Sequence, residues 1–93
     1  MDKREKLAMM DKVLRELEDL VNSQTSVLKK IGQIEAENIN LGDAYLDETL
    51  PDVFEPVDEA LTKATTLHTE FTNIRDKFVK DNKLDEPQET PEG

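Results

Sequence analysis

LAMMDKVLRELEDLVNSQTSVLKKIGQI, residues 7–34, is the stretch that decides the fold. Its apolar residues return in steps of three and four through Leu7, Met10, Leu14, Leu17 and Val21, then resume at Leu28 and Ile31. In an α-helix that rhythm keeps side chains on one seam, whereas a half-buried strand would alternate strictly. Written as heptads abcdefg, Leu7, Leu14, Val21 and Leu28 take position a, while Met10, Leu17, Gln24 and Ile31 take d. A third apolar series, Val13, Leu20, Val27, Ile34 and Leu41, recurs at g. Three apolar positions per heptad make a stripe wider than a two-stranded seam needs. A helix so striped expects at least two neighbours.

Within this stretch Asn22-Ser23-Gln24-Thr25-Ser26 is the weak point, because such side chains compete for backbone hydrogen bonds. The a, d and g phase is the same on both sides of it, which favours one helix over residues 3–40. A bend near residues 22–26 is the alternative. Gly32 falls at e, outside the seam, and costs about 1 kcal/mol relative to Ala.

Working outward, periodicity fails between Asn40 and Asp52. Gly42 reads as a helix stop and Pro51 as a barrier to helix continuation. Residues 41–52 are therefore expected to form an acidic linker, with Tyr45, Leu46 and Leu50 folding over the bundle end. A second helix is expected over 53–82. Asp52 and Glu55 have capping-box spacing ahead of it, and Pro56 suits a first turn. Its seam is read as Val53, Val57, Ala60, Ala64, Leu67, Phe71, Ile74 and Phe78. Residues 85–93 contain no apolar residue and two prolines, and are expected to be a disordered acidic tail. The predicted architecture is all-α: a long antiparallel helical hairpin over residues 1–84, completing a bundle by oligomerisation or partner binding.

Composition narrows the function. Net charge is −10, and no Lys or Arg occurs between Lys30 and Lys63. Such a field repels nucleic acid and anionic membrane and attracts basic protein surfaces. No stretch approaches the roughly 20 apolar residues of a membrane span or the uninterrupted apolar core of a signal peptide, so a cytoplasmic protein is expected. The absence of cysteine removes disulfides and thiolate chemistry.

Neither catalysis nor a cofactor is expected. His68 is the single histidine, falls beside Leu67 at the flank of the seam, and cannot build a zinc site alone. Asp43, Asp47, Glu48 and Asp52 lack the alternation and the central glycine of a calcium loop. With three glycines in the chain, no phosphate-cradling loop is present.

What is left is contact with other proteins. The leading expectation is a small acidic interaction module (an adaptor, assembly chaperone or scaffold component) acting by helix–helix packing on a protein partner or on further copies of itself. Its contact residues would be Val13, Leu17, Leu20, Val21, Val27, Leu28, Ile31, Ile34, Phe71, Ile74 and Phe78. An alternative is an inhibitor that mimics nucleic acid, presenting Asp43, Asp47, Glu48 and Asp52 to the basic groove of a DNA- or RNA-binding protein. In outline the hairpin is also similar to the Trp-x-Gly helical hairpins of type VII secretion, which would imply a secretion partner. The chain departs from their turn motif, having no Trp and Leu41-Gly42 where that motif would stand.

Overall fold

The structure is a computed structural model that describes residues 1–85. Two helices, α1 (Lys3–Leu41) and α2 (Ala44–Asp81), fold back on each other as an antiparallel hairpin. Its principal extents are 75 × 18 × 17 Å. No strand occurs among the described residues.

Helix α1 is continuous through residues 22–26. There Thr25 donates its hydroxyl to the Val21 carbonyl at 2.8 Å, so the side chain that competes with the helix is absorbed into it. The helix opens on a reciprocal capping box. Asp2 accepts from the Glu5 N–H at 2.8 Å, and the Glu5 carboxylate accepts from the Asp2 N–H at 3.1 Å. It closes at Gly42, whose φ of 70° is left-handed and whose N–H reaches the Asn38 carbonyl at 2.7 Å.

The expected 41–52 linker is not there. The connection is Gly42-Asp43, and α2 begins at Ala44, running through both Pro51 and Pro56. Asp43, rather than Asp52, is the N-cap, and its carboxylate accepts the Leu46 N–H at 2.9 Å. The two prolines leave the carbonyls of Asp47 and Asp52 without intrahelical donors. All four residues are exposed, so water can satisfy those oxygens. The seam residues Leu50, Phe54 and Val57 stay half-buried against α1 throughout this stretch. Tertiary packing and a strong cap thus override a local helix breaker.

The seam of α2 is also rotated from the sequence reading. Val53, Leu67 and Ile74 are 48%, 51% and 53% exposed. The residues turned towards α1 are Phe54, Val57, Leu61, Ala64, His68, Phe71, Arg75 and Phe78, again in steps of three and four. His68 therefore lies half-buried in the seam itself and not at its flank. Val57, Ala64, Phe71 and Phe78 are common to both sets, whereas Val53, Ala60, Leu67 and Ile74 give way to the residues that follow them, Phe54, Leu61, His68 and Arg75, two of which are disguised by their polarity.

Register is fixed at both ends. Near the termini Arg75 Nε lies 2.8 Å from Asp11 Oδ1, and the Lys6 ammonium sits 5.1 Å from the centre of the Phe78 ring. At the turn Asn38 binds Asp43 and Asp47. Past its end α2 is closed by Lys83, a non-glycine residue at φ 56°, with the Leu84 N–H donating to the Val79 carbonyl at 2.9 Å. The expected tail has only Asp85 inside the described residues.

The core is thin. Ile31, Ala64 and Val79 are the buried apolar residues, at 5–7% exposure, and no large side chain is wholly enclosed among the described residues.

Candidate functional site

In an antiparallel helix pair, the positions that precede a on the two helices lie on the same side of the seam. For α1 this is the g series. For α2, with Phe54, Leu61, His68 and Arg75 at a, it is Val53, Ala60, Leu67 and Ile74. The register set by Asp11–Arg75 and Asn38–Asp47 brings these into four rows along one flank: Val13 with Ile74, Leu20 with Leu67, Val27 with Ala60, and Ile34 with Val53. Leu20, Val27 and Ile34 are 42%, 46% and 37% exposed and Leu67 and Val53 are 51% and 48%, while Val13 and Ala60 are less exposed. The flank is thus an unbroken apolar strip on the outside of the hairpin.

The opposite flank is different in kind. Its middle e positions are Asp11, Glu18 and Thr25 on α1 and Asp58, Thr65 and Thr72 on α2, while its ends carry the exposed Ile39 and the buried Val79. The hydroxyls of Thr65 and Thr72 are turned back onto the Leu61 and His68 carbonyls. The Asp11 carboxylate, helped by Asp76, holds the Arg75 guanidinium above its ordinary value, chiefly through the hydrogen bond and against partial burial.

The sequence-predicted contact residues therefore divide. Leu17, Val21, Leu28, Ile31, Phe71 and Phe78 are turned into the α1–α2 seam. Val13, Leu20, Val27, Ile34 and Ile74 lie along the outer flank. Val53, Ala60 and Leu67 complete that flank; sequence reasoning had assigned them to the interior. The signal that would have separated them is the cluster of a-position residues one step along, beginning at Phe54 and Leu61.

The four acids of the turn are not equivalent. Asp43 caps α2, and Asp47 accepts from Asn38 Nδ2 at 2.7 Å. Glu48 and Asp52 are exposed. Glu35, Asn38, Leu46, Asp47, Leu50 and Pro51 line a shallow depression at this tip. Among the described residues no group of three or more His, Cys, Asp or Glu is placed to hold a metal, and no helix is long and apolar enough to cross a membrane.

No family model, curated protein or solved structure matches this chain.

Proposed function

We propose that the chain is a small acidic helix-docking module whose working surface is the outer flank Val13–Leu20–Val27–Ile34 and Val53–Ala60–Leu67–Ile74. One observation carries the reading: large apolar side chains stay half-exposed in register on two adjacent helices while the middle of the opposite flank is polar. An apolar strip of this length on a soluble hairpin marks a surface that another helix covers. The thin core supports it, since a hairpin that encloses so little gains stability from whatever lies on its flank.

Nucleic-acid mimicry through the turn is the weaker reading. Asp43 and Asp47 are committed to capping and to Asn38, which leaves Glu48 and Asp52 as the freely displayed pair.

A photo-reactive phenylalanine placed at Val27, and separately at the exposed Thr66 on the far side of α2, tests the docking reading in the native host. Covalent protein adducts from position 27 and none from 66 are expected. Equal yields from both, or no adduct from 27, contradict it.

A further inference from the structure

We infer that the occupant of this flank is a second copy of the chain, laid on antiparallel so that the two turns point in opposite directions. The inference rests on the docking reading and adds the identity and orientation of the partner.

The first argument is shape. Along the flank the two central rows differ in bulk, Leu20 with Leu67 a ridge and Val27 with Ala60 a notch, between outer rows that each hold one Val and one Ile. A two-fold axis across the hairpin, between these rows, seats each ridge in the notch of the other copy and sets Val13 with Ile74 against Ile34 with Val53. Large side chains then meet small ones at the centre, as interdigitating layers require. With the turns aligned at one end instead, ridge would meet ridge and notch would meet notch.

The second argument is charge. The chain carries −10, yet the c positions bordering this flank balance. Glu16, Glu37 and Glu70 oppose Lys30, Lys63 and Lys77. The same two-fold stacks α1 on α1 and α2 on α2, so it brings Glu16 of one copy beside Lys30 of the other twice, both times along the α1 rim. Lys63 faces its own counterpart, each held by Glu59 at 3.1 Å. In the aligned arrangement Glu16 would face Glu70. The acidic excess thus lies away from the proposed contact.

The third argument is area. The axis passes near the middle of both helices, so the copies overlap along their full length. The full overlap of about 58 Å at 1.5 Å per residue, on a hairpin 18 Å wide, offers about 1,000 Å² per copy, of which the apolar rows between residues 13 and 34, about 32 Å long, supply a little over half. Stable interfaces need roughly 800 Å² per partner.

Sedimentation of the full chain across about 1–100 µM, with spin-label distances, tests this. We expect a dimer that tightens as salt screens the like net charge, and that Leu20→Glu with Leu67→Glu weakens at least 100-fold. Because that variant also touches the hairpin edge, the exposed rim gives a second arm: Glu16→Lys alone weakens the dimer several-fold and adding Lys30→Glu restores it. Labels at Tyr45→Cys should lie about 50–60 Å apart, the length of a helix, and Ser23→Cys, near the axis in a chain without other cysteines, should form a disulfide-linked dimer on oxidation. A helical monomer at 100 µM, or a dimer with Tyr45 labels within about 30 Å (two helix diameters or so), overturns the inference. If position 27 still yields adducts to a different protein, the docking reading stands and the second copy is eliminated.

Discussion

Asn38 Nδ2 lies 2.7 Å from Asp47 Oδ1, and this pair holds the turn of the hairpin together. Asn38 is 4% exposed, and its other atoms are used as well: Oδ1 accepts the Asp43 N–H at 2.9 Å, and Nδ2 reaches the Asp43 carbonyl at 3.2 Å. One side chain at the end of α1 thus satisfies the backbone of the connecting residue on both sides and ties down the first turn of α2. That is how a two-residue connection reverses two long helices.

Asn38→Ala should therefore cost about 1–2 kcal/mol, because it strips the partner from the part-buried Asp43 N–H and leaves Asp47 unengaged. Chemical denaturation measures the loss. Hydrogen exchange should show faster opening of residues 38–50 than of the termini; uniform acceleration along both helices would contradict the assignment.

Gly42 sits at φ 70°, and nothing lies within 4 Å of a Cβ built there. Gly42→Ala should thus cost only the left-handed backbone penalty, about 1 kcal/mol, with no steric addition. A cost above about 3 kcal/mol would mean that the space around Gly42 is occupied.

Pro51 and Pro56 are exposed and lie inside α2. Replacing either by Ala returns an N–H to the helix and removes a ring clash, so each change should stabilise by about 1–3 kcal/mol. Thermal melting would show the gain directly. A loss on substitution would mean that α2 begins near residue 53 after all.

His68 occupies a seam position against α1 without any hydrogen bond from its ring among the described residues. His68→Leu should stabilise by about 1 kcal/mol through added apolar burial. Asp11→Asn should act in the opposite sense, weakening the pair with Arg75 by about 0.5–1 kcal/mol, less at high salt, since both side chains are about one-third exposed.

These residues also explain what could be read without coordinates. The extent of α1 was legible because Leu7 through Ile31 keep one phase, and the wide g stripe correctly implied surface left over after hairpin formation. The second half was harder for a local reason and a distant one. Pro51 and Pro56 carry strong local signals against helix, and only the Asp43 cap and the packing of Leu50 and Phe54 override them. Half of the α2 seam, Val57, Ala64, Phe71 and Phe78, was legible, and the other half was displaced by one residue because Val53, Leu67 and Ile74 are more apolar than His68 and Arg75, whose inward places depend on what stands opposite in α1. Asp11 is 64 positions from Arg75, and no window along the chain contains both.

The proposed pairing of two copies stands on the outer flank being covered when the chain associates with itself. Solvent-induced paramagnetic relaxation of the methyl groups of Leu20, Val27, Ile34 and Leu67, followed through a dilution series, measures that cover most directly. Protection at high concentration that fades on dilution, while Ile39 stays fully accessible throughout, is the predicted result. Methyls on the flank as accessible as Ile39 at every concentration would contradict it.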